Sequence, residues 1–238
     1  MLELSLLEEE LLREHFKDEI GYNEALNRLE DGDPFAYVIG EWYFYSETYK
    51  VSPDCLIPRP DTEHIVDYLI KNLPENAVFA DLCTGSGCIA ISTLKHRPDV
   101  KAIAIDISEG ALALAKENSA LNGVSDRISF VKKDVLKGDC LSDMILDAIS
   151  ANPPYIPSGV IPTLSEQVRR EPIIALDGGG DGLDFYRVIF DSYKRNVKSG
   201  GFIVCEIGYD QGEAAKELFG CKIYKDYGGN DRVAVRLI

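Results

Sequence analysis

Two short stretches carry residues whose types and spacing could do chemistry: Asp81-Leu82-Cys83-Thr84-Gly85-Ser86-Gly87 and Asn152-Pro153-Pro154-Tyr155. In the first, glycines let the backbone turn sharply and come close to a ligand. A helix starting at Cys88 would offer its free N–H groups and positive dipole end to an anionic group. Asp106, nineteen residues beyond Gly87, is spaced to bind the two hydroxyls of a ribose. Asp134 could accept from an adenine amino group. Gly85-Ser86-Gly87-Cys88-Ile89-Ala90 also fits the G-x-G-x-x-A form of the dinucleotide fingerprint. A glycine turn that merely packs a helix on a strand is the plain alternative, and the two acids in register weigh against it. These residues predict a cofactor with a ribose and an adenine, and leave NAD and S-adenosylmethionine both open.

Asn152 to Tyr155 choose between them. With proline at about 5% of residues, this tetrapeptide arises by chance in roughly one chain per thousand of this length. A planar amide or aromatic amine is a poor nucleophile, because its nitrogen lone pair is delocalised. Its NH2 group has two donors. The Asn152 side-chain oxygen can accept one and the Pro153 carbonyl the other. That grip would hold the nitrogen in line with an electrophilic methyl and stabilise the charge developing on it. Proline fixes φ and offers no competing N–H, so the carbonyl stays in place. Tyr155 can pack against the planar group. This chemistry needs neither a metal nor a covalent nucleophile, and no residue set suited to hydride transfer accompanies it.

The elements that must position these residues follow from the pattern of the chain. Leu2 to Leu29 read as helix, with Leu4, Leu7, Leu11 and Leu12 near one face, and Asp31-Gly32-Asp33-Pro34 stops it. Trp42 to Tyr45 and Tyr49 to Val51 predict two short strands joined by a turn at Ser46-Glu47-Thr48. Asp61 could cap a helix with Ile65, Val66, Leu69 and Ile70 on its apolar face. Beyond Pro74, strands and helices alternate. Strands are expected at Ala77–Leu82, Val100–Ile105, Ile128–Val131, a segment ending at Asp147–Ser150, Phe202–Glu206, Cys221–Tyr224 and Val233–Leu237. Helices are expected at Cys88–Lys95, from a Ser108 cap to about Asn122, at Leu183–Val197 and at Asp210–Leu218. The order predicts an α/β fold, a doubly wound, mostly parallel, seven-stranded Rossmann-like sheet. Residues 1–35 form a short N-terminal helical segment, 36–74 a β-hairpin and linking helix, and 75–238 the catalytic domain. In such sheets ligands bind at the carboxyl ends of the strands near the switch point, where both stretches fall.

Composition sets outer limits. The chain has 238 residues and a formal net charge of −15, which argues against direct nucleic-acid binding and favours a folded partner with a basic surface. No apolar run approaches the roughly 18 residues of a membrane helix. The acidic start is neither a signal nor a transit peptide, so cytoplasm is the expected address. Six cysteines form no C-x-x-C pair, and are expected buried and reduced. Asp177-Gly178-Gly179-Gly180-Asp181-Gly182 lacks the ligand spacing of a calcium loop and reads as a flexible loop. His15, His64 and His96 are scattered and have no expected catalytic role.

The chain resembles the HemK/PrmC family, the N5-glutamine methyltransferases of peptide chain release factors. The resemblance runs from roughly Glu24 to the C-terminus, through Ala36 to Gly40, Leu56 to Glu63, Asp81 to Gly87, Asp106-Ile107-Ser108, Asn152 to Tyr155, Glu171-Pro172, Ala175-Leu176 and Gly182-Leu183-Asp184. The Pro-Arg-Pro-x-Thr-Glu segment separates this family from DNA adenine methyltransferases. The resemblance implies S-adenosylmethionine as methyl donor, S-adenosylhomocysteine as product, and the glutamine of a release factor's Gly-Gly-Gln loop as acceptor. It implies that Cys83, Thr84, Gly85, Ser86 and Gly87 line the methionine part, that Asp106 binds the ribose, and that Val135 beside Asp134 lies against the adenine. It gives Asn152 contact with both cofactor and substrate, makes Asn152, Pro153, Pro154 and Tyr155 the glutamine site, and sets Arg59, Pro60 and Thr62 at the edge of the methyl-donor pocket. Cys83 departs from the family's glycine. Family members also carry several N-terminal helices, where roughly 35 residues here leave room for one or two. A methyltransferase acting on another protein glutamine or a nucleic-acid adenine, and a non-catalytic cofactor-binding protein, are the rival readings.

Overall fold

Ser5 opens the first helix. Its hydroxyl accepts from the Glu8 N–H while the Glu8 carboxylate accepts from the Ser5 N–H, a reciprocal cap. Helix α1 (Leu6–His15) stops at Phe16, and Asp18 caps a separate helix α2 (Glu19–Glu30) by accepting from the Gly21 N–H. The single helix expected over Leu2–Leu29 is therefore two. The computed structural model describes residues 4–238, so the expected start at Leu2 lies outside the described residues. Leu12 is buried with Tyr22, Ala25, Leu29 and Val38, the last on helix α3 (Phe35–Ile39), whereas Leu7 is 66% exposed.

Strands β1 (Glu41–Phe44) and β2 (Glu47–Lys50) pair antiparallel across Tyr45 and Ser46, whose φ values are 52° and 71°. The turn falls earlier than expected, because two left-handed central residues match the twist of a tight hairpin. Glu47 and Thr48 thus join the second strand, and the buried Glu47 carboxylate accepts from Ser92 Oγ at 3.0 Å. A single 3-10 turn, Pro60–Thr62, leads into α4 (Glu63–Asn72). Asp61 does not cap this helix; its carboxylate pairs with Arg232 at 3.2 Å instead.

The sheet builds outward from β3 (Val78–Leu82) in both directions. On one side lie β4 (Lys101–Asp106) and β5 (Ile128–Lys132), and on the other β6 (Leu146–Ala151) and β7 (Val197–Glu206), all parallel. Beyond β7 come β9 (Asp231–Leu237), antiparallel to it, and at the edge β8 (Lys222–Lys225), antiparallel to β9 and so running with the other strands, giving the order β5-β4-β3-β6-β7-β9-β8. The connections carry α5 (Cys88–His96), α6 (Glu109–Leu121), the short α7 (Glu166–Arg169), α8 (Asp184–Ser192) and α9 (Gly212–Phe219). The expected seven-stranded, mostly parallel sheet is the one observed.

Alternation along the strands feeds two cores. Phe79, Ala102 and Val204 face Ile65, Val66 and Leu69 of α4 and Ile91 and Leu94 of α5. Ala80, Ile149 and Ile203 face Tyr186, Ile189 and Phe190 of α8 and Phe219 of α9. Strand order reverses beside β3, which makes the carboxyl ends of β3, β4 and β6 the switch point. Among the described residues no helix is long and apolar enough to cross a membrane.

Candidate active site

A cleft opens at that switch point, lined by Cys83 to Ser86, Asp106, Asp134, Val135, Asn152 and Pro154 among others. It therefore brings together residues from the ends of β3, β4, β5 and β6. After Leu82 the chain turns through Cys83 (φ 56°), Gly85 (φ 55°) and Gly87 (φ 84°). The Thr84 hydroxyl donates to buried Asp81 at 2.6 Å, and its N–H to the Ile105 carbonyl at 3.0 Å, so the turn is tied to both strands beside it. Gly87 does not line the cleft. A Cβ there would meet Ile91 and Ala115, so its role is close packing of α5 against α6.

Asp106 accepts from the Gly85 N–H and the Ser108 N–H, both at 2.9 Å. Burial pushes its pKa up, against the pull of those two donors. A carboxylate has about four lone-pair sites. Two remain, which suits the two hydroxyls of a ribose. Asp134 Oδ1 accepts from the Leu136 N–H at 3.0 Å, and its other side-chain oxygen takes no hydrogen bond among the described residues. Val135 beside it is buried and faces the cleft. The apolar walls are completed by Ile107, directly after Asp106, by Leu136, two residues after Asp134, and by Leu56, Pro58, Ile174 and Phe185. Reading the residue after each acid would have found Ile107 as it found Val135, and one step further Leu136. Phe185 carries no comparable mark.

Cys83 is half-buried on the cleft wall and is a neutral thiol, its pKa pushed up by desolvation and then by the Asp106 and Asp81 charges. The other five cysteines are buried, and all six are free. No group of His, Cys, Asp and Glu among the described residues could hold a metal ion.

Asn152 follows β6 directly and faces the cleft with Pro154. Its Nδ2 donates to Thr62 Oγ1 at 3.1 Å, while its Oδ1 takes no hydrogen bond among the described residues. Thr62 Oγ1 donates in turn to buried Glu206 at 2.5 Å. The Tyr155 hydroxyl donates to the other Glu206 oxygen at 3.3 Å, and burial followed by the Glu206 charge raises the Tyr155 pKa. Pro153 and Tyr155 flank the wall residue Pro154, and Arg59 and Pro60 follow the wall residue Pro58 at the cleft's edge. Arg59 pairs with Glu171, whose second oxygen accepts from the Ile57 N–H at 3.0 Å. That buried carboxylate staples the Ile57–Arg59 segment beside the site.

The glycine run expected to be a flexible loop packs against the tetrapeptide. The Gly178 N–H donates to Ile156 O, and the Ser158 N–H donates to Gly179 O, both at 2.9 Å. A Cβ on Gly178 would stand 2.7 Å from Tyr155 Cα and 2.8 Å from the Pro154 carbonyl oxygen. On the opposite side, buried Asn118 of α6 donates to Lys50 O at 3.0 Å and Ser86 O at 2.9 Å, and accepts from the Lys50 N–H at 2.7 Å. One amide thus joins the hairpin to the glycine turn after β3.

Residues 62–180 match the methyltransferase small domain family. Over 218 residues the chain is 40% identical to the release factor glutamine methyltransferase of Moorella thermoacetica, covering 88% of this chain and 76% of that one. The enzyme of the same name from Aquifex aeolicus is 36% identical, with 95% of this chain and 80% of that one covered. The chain belongs to the release factor glutamine methyltransferases. Solved structures share the fold at lower identity. The ribosomal protein L11 methylase from Lactobacillus delbrueckii subsp. bulgaricus superposes at TM-score 0.53 and 22% identity, covering 78% of this chain and 82% of that one. The hMettl16 catalytic domain superposes at 0.62 and 18%, covering 79% and 74%.

Proposed function

We propose that the protein transfers a methyl group from S-adenosylmethionine to the side-chain amide nitrogen of the glutamine in the Gly-Gly-Gln motif of a peptide chain release factor. The observation that carries this reading is one cleft wall shared by Asp106, Cys83 to Ser86 and Asn152. The paired lone-pair sites left on Asp106 fit a ribose, and Val135 with Ile107 and Leu136 fits a flat base beside Asp134. When bound, S-adenosylmethionine supplies a methyl carbon on a sulfonium, and leaves as the neutral thioether S-adenosylhomocysteine.

The chain's own residues then act on the acceptor. Asn152 Oδ1 and the Pro153 carbonyl oxygen accept the two N–H groups of the glutamine amide. As the amide nitrogen takes on carbon, positive charge grows on its hydrogens and those two oxygens stabilise it; one of the two N–H protons is then lost to solvent water, leaving a neutral N-methyl amide. Holding the amide by both N–H groups also fixes the direction of its nitrogen toward the methyl. Tyr155, anchored on Glu206, backs the amide plane. Arg59 serves this site through Glu171, which holds the segment at its edge. The net charge of −15 suits a protein partner with a basic surface.

The test is transfer of labelled methyl to a purified release factor, beside a variant factor whose Gly-Gly-Gln glutamine is alanine. Label on the normal factor alone is expected. Replacing Asn152 with alanine should lower kcat by about 10²–10³-fold, the typical loss for one positioned polar group at a charged transition state. Equal labelling of both factors would overturn the acceptor assignment.

A further inference from the structure

Asn152 can turn either end of its amide toward the acceptor, and only one end works. An outward Oδ1 accepts an N–H; an outward Nδ2 would meet two donors with a donor. The side-chain chain behind it decides which. Glu206 ends β7, next to the strand that ends at Ala151, because Ala151 pairs with Cys205. Its carboxylate accepts from Thr62 Oγ1 at 2.5 Å. A hydroxyl has a single hydrogen. Once that hydrogen is committed to the carboxylate, Thr62 presents only lone pairs to Asn152, and Asn152 must answer with Nδ2. The other Glu206 oxygen receives the Tyr155 hydroxyl, so a single buried carboxylate holds both ends of the tetrapeptide.

We propose that Glu206, acting through the Thr62 hydroxyl, is the positioning group that locks the Asn152 amide with Oδ1 toward the acceptor. The proposal rests on the reading of Asn152 as the amide-gripping residue. Thr62 reaches the cleft wall, Glu206 lies behind it, and both act on the acceptor through Asn152. They work by removing the unproductive rotamer, which would otherwise be close in energy because an amide's two ends have nearly the same shape.

Thr62→Val keeps the size and removes the hydroxyl, and Thr62→Ser restores it. The first readout is the NMR side-chain NH2 signal of Asn152 in ¹⁵N-asparagine-labelled full-length protein, identified by its loss in Asn152→Ala. Slow exchange of one Nδ2 proton is expected in the unmodified protein and in Thr62→Ser, and its loss in Thr62→Val. The second is methyl transfer to a release factor. There Thr62→Val should lower kcat at least 10-fold and Thr62→Ser less than about 3-fold, with calorimetric S-adenosylmethionine affinity within about 3-fold in both. An Asn152 signal unchanged by Thr62→Val would overturn the proposal. So would a changed signal with kcat kept within about 2-fold. Loss of the Asn152 signal in Thr62→Val, with no transfer to the release factor by the unmodified protein, would support the lock and sink the substrate reading instead.

Discussion

Cys83 carries a Cβ where the backbone is left-handed, at φ 56°. For a residue with a side chain, that region costs about 1–2 kcal/mol. Glycine, which the family resemblance expects at this position, removes the clash but adds about 0.5–1 kcal/mol of unfolded-state entropy. Cys83→Gly should therefore raise stability by about 0.5–1 kcal/mol, about 1–4 °C in Tm by thermal denaturation. A fall in Tm would mean that thiol packing in the second core outweighs the strain. At this scale the sequence was most informative where chemistry and position coincide. Asp106 was legible because an acid ending the strand after a glycine turn has few other uses, and Asn152 because its tetrapeptide is rare. Thr62 was legible only as a border residue, and Glu206 not at all as a site residue. They lie 144 positions apart, and nothing in either local sequence reports a hydrogen bond across that distance.

Elements show a different balance. Strands β3 to β5 were legible nearly to the residue, and β6 at its end, since buried parallel strands read as short apolar runs with clear stops. The N-terminal helix was read as one because neither glycine nor proline stands between Leu12 and Asp18 to mark the break. The Asp18 cap with its bond to Gly21 decides the matter locally, and a cap is a weaker signal than periodicity. The glycine-rich segment 177–182 was misread for a further reason. Gly178 and Gly182 answer to the backbone of Pro154 and Tyr155, which sequence does not place beside them. Gly178→Ala should push that backbone away, because a Cβ would stand 2.7 Å from Tyr155 Cα. Overpacking of this kind costs about 1–3 kcal/mol. The expected result is a lower Tm together with a fall in kcat for methyl transfer of more than about 10-fold at temperatures where the variant is folded. Unchanged kinetics would show that this segment does not hold the tetrapeptide in place.

For the whole molecule, the centre of the sheet holds an unusual charge. Asp81 is fully buried on β3, accepting from Thr84 at 2.6 Å and from Ser150 at 2.8 Å, and burial pushes its pKa from 3.8 to about 7. A folded pKa above the unfolded one means that the stabilisation is complete below pH 3.8 and is lost as pH rises through about 7. Asp81→Asn does not titrate in that window, whereas Glu206, also pushed up to about 7 by burial, titrates in both proteins and cancels. The Tm of Asp81→Asn minus that of the unmodified protein should thus climb between about pH 5 and pH 8, by on the order of 2 kcal/mol or 4–8 °C. A flat difference would mean that Asp81 stays in one protonation state throughout. The topology itself was legible, because alternating strands and helices permit few arrangements; the antiparallel strands β8 and β9 follow from the absence of a helix between them. Asn118 was not legible, being one asparagine among the polar residues of a helix. Its three bonds clasp Lys50 of the hairpin and Ser86 of the cofactor turn at once. Anyone exchanging hairpins between relatives to redirect partner choice would be transplanting half of a joint. A graft that brings its own main-chain groups to the position of Lys50 keeps the joint closed, and one that shifts by a residue trades a new specificity for a loosened cofactor seat.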